Sequence, residues 1–225
     1  MTRRSFRKSF FLLTLLCVGA ATACKSAGAA AGIPNPAVDD SLAKTNGERT
    51  VVLAGGCFWG IEAVFEHVKG VKDAVSGYSG GAAQTAQYEI VSEGRTGHAE
   101  SVQITYDPSQ ITYGQLLKVF FSVAHDPTQL NQQGPDIGTQ YRSVIFYSDE
   151  GQKRIAQAYT DQLNQSKIFR RRVVTQLVPL KAFYKAETYH QDYAAHHPTD
   201  LYIVFNDAPK VTHLREQLPE LYKAK

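Results

Sequence analysis

The chain is predicted to adopt an α+β fold, one antiparallel sheet with helices packed on one face. Three observations carry this prediction. Strand-like and helical stretches follow the order β-α-β-β-α-β, before a further α-β pair. Residues Ala99 to Tyr106 alternate, placing Val102, Ile104 and Tyr106 on one face. Ile61, Val64, Phe65 and Val68 recur at helical spacing directly after a strand-like run. The order is the split βαβ of ferredoxin-like folds, a two-layer sandwich here extended by an irregular C-terminal segment.

The elements begin only after a targeting segment. Arg3, Arg4, Arg7 and Lys8 form a basic n-region, Phe10 to Ala23 an apolar h-region, and Ala21-Thr22-Ala23 a small-residue cleavage site. Residues 1–23 are therefore read as an export signal, because the apolar run is short for a membrane span. Thr2 to Lys8 also fits a twin-arginine motif, which chance basic residues in an ordinary signal would equally produce. Cys24 follows the small residues as an acylated lipoprotein cysteine does, although Ala21 stands where that pattern prefers Leu. Two readings stay open, a lipid-anchored protein beginning at Cys24 and a soluble exported one cleaved nearby. The anchor is favoured because residues 24–48 read as a flexible tether, Lys25 to Asn46 being rich in Ala, Gly, Pro and Ser. Either reading places the protein in a bacterial cell envelope, in the periplasm.

The folded body spans residues 49–225. Arg49 to Ala54 reads as a strand, Phe58 to His67 as a helix, and Val71 to Tyr78 as extended chain. After the strand Ala99–Tyr106, Asp107-Pro108 closes it and Thr112 caps a helix carrying Leu116, Leu117, Val119, Phe120 and Val123. Arg142 to Tyr147 is a strand, Ser148 or Asp149 caps a helix to about Leu163, and Val173 to Leu180 is the last strand. Two segments are too polar and aromatic for plain connectors: Gly94 to Glu100, and His125 to Ser143.

Charge and cysteine content narrow the chemistry. The formal charge is +3, but without the signal's four basic residues 20 basic residues face 21 acidic ones, a net −1. The basic balance thus belongs to the targeting segment, and nothing points to nucleic acid. The single Met is Met1, so a processed chain offers an oxidant no methionine. Of the three cysteines, Cys17 leaves with the signal and Cys24 sits at the tether, which isolates Cys57. A disulfide framework and a zinc site of paired cysteines are both excluded. His190, His196 and His197 form no HExxH pattern, and no metal is expected. Cys57 follows Gly55-Gly56 at a helix start, where free backbone N–H groups favour a thiolate. The plain alternative is a small buried hydrophobe in a turn.

Four segments resemble peptide methionine sulfoxide reductase A: Gly56-Cys57-Phe58-Trp59-Gly60, Gly97-His98-Ala99-Glu100, Gly138-Thr139-Gln140-Tyr141-Arg142-Ser143 and Ala186-Glu187-Thr188-Tyr189-His190-Gln191. They stand in the family's order across roughly residues 50–206. The resemblance implies reduction of the S epimer of methionine sulfoxide, free or in oxidised proteins, with no metal or organic cofactor. By that resemblance Cys57 is the nucleophile and passes through a sulfenic acid. Glu100 is the acid that protonates the sulfoxide oxygen, and Tyr88 and Tyr141 are the phenols that hold it. Phe58 and Trp59 form the notch for the S-methyl group, and Asp136 is a loop carboxylate for a water or the substrate backbone. Each has an ordinary counterpart: a solvated glutamate, packed tyrosines, a core tryptophan, an Asx-turn.

Two departures from the family pattern matter. Gln84 to Tyr88 lacks the proline often found there, and Asn206 to Lys225 contains no cysteine. A resolving thiol is therefore absent from the tail, and the sulfenic acid is expected to be reduced by an external thiol or a thioredoxin-like dithiol. Competing readings are another single-cysteine enzyme, with His98 or His190 as base, and a non-catalytic envelope lipoprotein on the same fold. Nothing in the sequence requires more than a monomer.

Overall fold

The computed structural model describes Met1 and residues 32–225. The signal segment and Cys24, the expected lipidation site, lie outside the described residues. The elements are β1 (Arg49–Ala54), α1 (Phe58–Glu66), β2 (Val71–Ser79), α2 (Tyr88–Val91), β3 (Ala99–Tyr106) and α3 (Tyr113–Val119). They continue as β4 (Gln132–Gln133), β5 (Asp136–Ile137), β6 (Val144–Tyr147), α4 (Glu150–Ser166), β7 (Gln176–Pro179), β8 (Phe183–Lys185), α5 (Tyr193–His196) and α6 (Ala208–Gln217).

The main sheet runs β7-β6-β1-β3-β2-β8. Its central four strands stand in the sequence-predicted split-βαβ order, with β1 and β2 both antiparallel to β3 and β6 antiparallel to β1. Two edge strands extend it. β7 adds parallel to β6, and the three-residue β8 adds antiparallel to β2, a strand the sequence reading omits. Alternation on β1 buries both faces: Val51 and Leu53 join the large core under the helices, while Val52 and Ala54 join a smaller cluster with Val144 and Phe146. That explains why this strand reads as a continuous apolar run.

The helix signals behave as their chemistry dictates. Thr112 closes a capping box, its hydroxyl accepting from the Gln115 N–H at 3.1 Å while Gln115 accepts from the Thr112 N–H at 2.9 Å. Asp149 caps α4, accepting the Gln152 N–H at 2.8 Å. α1 is buried nearly all round, because the C-terminal segment covers the face the sheet leaves open. That segment is more regular than the sequence reading expects, since Val211, Leu214, Leu218 and Leu221 turn its apolar side inward.

Residues 33 to 46, expected as tether, carry no helix or strand, yet part of the stretch is strapped to the body. Tyr159 donates to the Pro34 carbonyl at 2.7 Å, Ala37 N–H to Gln162 at 2.8 Å, and Gly114 N–H to Asp39 at 2.8 Å. Among the described residues no helix is long and apolar enough to cross a membrane.

Candidate active site

Gly56 adopts φ +102°, and a Cβ there would lie 2.5 Å from the Gln133 side chain, so only glycine makes the turn into α1. The turn delivers Cys57 to the N-cap position of α1 as a free thiol, 8% exposed. Glu100 comes from the sheet. It shares the parity of Val102, Ile104 and Tyr106 on β3 and so faces the helices. Its carboxylate, 2% exposed, accepts the Phe58 N–H at 3.1 Å, at the first turn that Cys57 opens.

Burial dominates both titrations. It pushes Glu100 up to about 8 against the pull of the Phe58 N–H, and the charges of Asp136 and Asp207 push the same way. Burial also pushes the Cys57 thiol well above its ordinary value, with the Glu100 and Asp207 carboxylates adding to it. The Trp59 N–H and the Lys210 ammonium pull it down. The thiolate expected from helix position alone is thus corrected: the N–H is present, makes no capping hydrogen bond of ordinary geometry, and loses to desolvation. Near neutrality Glu100 is mostly protonated, and its repulsion of the thiolate lapses with its charge.

Tyr88, the first residue of α2, and Tyr141, from a 3-10 turn, reach this pair from separate parts of the chain. Burial raises both phenols, and both also feel the charges of Glu100 and Cys57, as groups sharing one pocket do. Tyr88 is placed by Glu187, which accepts the Tyr88 N–H at 2.9 Å through one oxygen and the Tyr78 hydroxyl at 2.9 Å through the other. Tyr141 ends a 3-10 turn, Thr139–Tyr141, entered through Gly138 at φ +148°. Arg142 fixes that turn by donating to the carbonyls of Thr139, His98 and Gly97 at 2.8, 3.0 and 2.9 Å. The arginine joins two motifs that lie 44 residues apart in sequence.

Phe58 is fully buried, 4.9 Å ring to ring from His190. Trp59 is the half-buried wall: Tyr193 stacks on it at 3.8 Å and 9°, and Tyr202 meets it edge-on at 5.9 Å. Asp136 is tied to the C-terminal segment through one carboxylate oxygen, which accepts the Tyr202 hydroxyl.

His190 and His98 are each fixed by hydrogen bonds to groups other than Cys57. His190 accepts the Trp59 indole N–H at 3.2 Å through Nδ1, which places its own proton on Nε2, 3.9 Å from Glu187. His98 accepts the Gly81 N–H at 3.2 Å and donates to the Ala82 carbonyl at 3.0 Å. Neither is arranged as a base for Cys57, which removes the sequence-level case for a cysteine–histidine hydrolase. Among the described residues no group of three or more His, Cys, Asp or Glu is arranged to hold a metal.

The sequence reading misses Tyr193, Tyr202, Asp207 and Lys210, all from the C-terminal segment. The signal for the first two is faint, an aromatic at each end of a polar stretch. Asp207 and Lys210 show only an acid–base spacing of three on a helix start.

Comparison with known proteins follows this geometry. A family described as peptide methionine sulfoxide reductase matches residues 49–221. A peptide methionine sulfoxide reductase MsrA 2 of Mesorhizobium japonicum is 60% identical over 179 residues, 80% of this chain and 92% of that protein. One of the same name from Synechocystis is 52% identical over 194 residues, 85% of this chain and 91% of the relative. Among solved structures, reduced Mxr1 of Saccharomyces cerevisiae is similar with a TM-score of 0.61 and 34% identity, covering 71% of this chain and 94% of its own. Methionine sulfoxide reductase A of Corynebacterium diphtheriae gives 0.59 and 34%, covering 70% and 78%.

Proposed function

Because this chain belongs to the peptide methionine sulfoxide reductase family, we propose that it reduces the S epimer of methionine sulfoxide at Cys57, in proteins and free. It is an oxidoreductase that reduces methionine sulfoxide and serves protein repair. The observation that carries the assignment of chemistry to Cys57 is the buried Glu100 carboxyl, hydrogen-bonded at the helix start that presents the thiol.

The reaction closes in atoms and electrons. Glu100 gives its proton to the sulfoxide oxygen while Tyr88 and Tyr141 donate hydrogen bonds to it. The Cys57 sulfur attacks the sulfoxide sulfur, and the thiol proton returns the carboxyl to its starting state. As the S–O bond breaks, the oxygen passes to Cys57 as a sulfenic acid and methionine leaves, reduced by two electrons. Two equivalents of external thiol, or one thioredoxin-like dithiol, then restore Cys57 through a mixed disulfide and release water. Phe58 and Trp59 shape the apolar notch for the S-methyl group. The export signal, the tether and an acylated Cys24 would place this repair at a cell envelope, in the periplasm.

The test offers a methionine-S-sulfoxide substrate with dithiothreitol to the wild type and to Cys57→Ser. The reading expects turnover only in the wild type, and none with the R epimer. An inactive wild type, an active Cys57→Ser variant or turnover of both epimers overturns it. The intact mass of the exported protein decides Cys24, since acylation adds several lipid chains.

A further inference from the structure

We propose that Lys210, held by Asp207, is a positioning residue for the reaction, its ammonium seated against the first turn of α1 to set the charge under which Cys57 ionises. Lys210 Nζ pairs with Asp207 Oδ1 at 3.0 Å, the aspartate 0% and the lysine side chain 16% exposed. The pair lies over Gly60, three residues past Cys57. A Cβ on Gly60 would fall 2.1 Å from Asp207 Oδ1 and 2.6 Å from Lys210 Nζ, so the missing side chain makes the seat.

Asp207 ends the π-helical turn Ile203–Asp207, which runs directly into α6. Its carboxylate turns toward α1, and its second oxygen is buried without a partner. A buried aspartate that leaves one oxygen unpaired adds little stability; well-packed apolar residues serve a fold at least as well. What the pair does have is position. The charged groups that bear on Cys57 are Glu100 from β3 and Asp207 and Lys210 from the C-terminal segment. The phenols of Tyr88, Tyr141, Tyr193 and Tyr202 lie within electrostatic reach. The Glu100 and Asp207 carboxylates oppose the thiolate, and Lys210 is the cation that offsets them. The tail that lacks a resolving cysteine thus still contributes to the nucleophile.

The inference rests on Cys57 being the nucleophile, but its test reads the thiol whether or not the enzyme turns over. In the full-length chain, thiolate absorbance at 240 nm is titrated against pH, with Cys57→Ser subtracted to isolate Cys57. Lys210→Met is expected to raise the midpoint by about one pH unit, about tenfold less thiolate at a fixed pH below it. Asp207→Asn lowers the midpoint, the double variant returns toward the wild type, and Lys210→Arg keeps it. A purely structural pair does not produce opposite signs that cancel. If Lys210→Met fails to fold, Asp207→Asn and the double variant decide: a lowered midpoint restored in the double supports the inference. Midpoints in folded variants that match the wild type overturn it.

Discussion

Replacing Glu100 by Gln separates the acid from the hydrogen bond that positions it. The amide oxygen still accepts the Phe58 N–H, now made at 3.1 Å, so α1 keeps its anchor while the transferable proton is gone. Turnover of a methionine-S-sulfoxide is expected to fall by about 10²- to 10⁴-fold, the usual worth of a positioned general acid. The same substitution has a thermodynamic signature. Glu100 is pushed from its ordinary 4.5 up to about 8 in the folded protein, chiefly by burial. A group whose folded pKa lies above its unfolded one contributes stability below pH 4.5 that is lost as pH rises toward 8. At about 1.4 kcal/mol per pH unit, the wild type loses up to about 5 kcal/mol over that window on this group's account. The glutamine variant does not. Glu62, also pushed up to about 8, is common to both proteins and cancels in the difference. Urea unfolding of both from pH 5 to 9 should show the variant gaining on the wild type as pH rises. Parallel curves would mean that Glu100 is ionised throughout, and the acid role would fail with it.

Tyr88→Phe and Tyr141→Phe should each lower kcat by about 10- to 100-fold with the melting temperature nearly unchanged, since each loses one donor to the developing oxygen charge; full activity in either variant removes that phenol from the site. Gly60→Ala should destabilise by about 1–3 kcal/mol, because the new Cβ would lie 2.1 Å from Asp207 Oδ1. Alanine's better helix propensity, about 1 kcal/mol, acts the other way, so an unchanged or raised melting temperature contradicts the close approach. Thr112→Ala should cost about 1–2 kcal/mol by opening the capping box and releasing the hydroxyl that donates to Asp39, with turnover per folded molecule unaltered.

The sheet was legible wherever local pattern and tertiary environment agree. Alternation at Val102, Ile104 and Tyr106 marked the buried face of β3, and its parity carried Glu100 to the same side. Thr112 and Asp149 announced helix starts through side chains that bond the nearest free N–H groups. Edge strand β8 escaped because three residues hold no period, and its pairing depends on β2, more than a hundred positions away. Tyr193 and Tyr202 escaped for a similar reason. Their meaning comes from Trp59, which the chain reaches only after folding. The helix start at Cys57 was readable, but the burial that governs its ionisation was not, because the cover over α1 is built by residues 203–217.

That burial gives the pocket its logic. A dry site at the start of α1 withholds the thiolate, and the same dryness keeps the proton on Glu100. Desolvation is common to both, while their mutual repulsion is self-limiting: a neutral carboxyl no longer repels charge on sulfur, and a neutral thiol no longer repels charge on the carboxyl. A sulfoxide entering with oxygen toward Glu100 and the phenols brings its positive sulfur toward Cys57. The substrate dipole thus supplies what water would otherwise have to, and donors already fixed by Phe58, Glu187 and Arg142 need little rearrangement to meet it. Such a pocket spends its protons on an S–O bond that fits it. A freely ionised, exposed thiol would instead have met the oxidants that create the substrate in the first place.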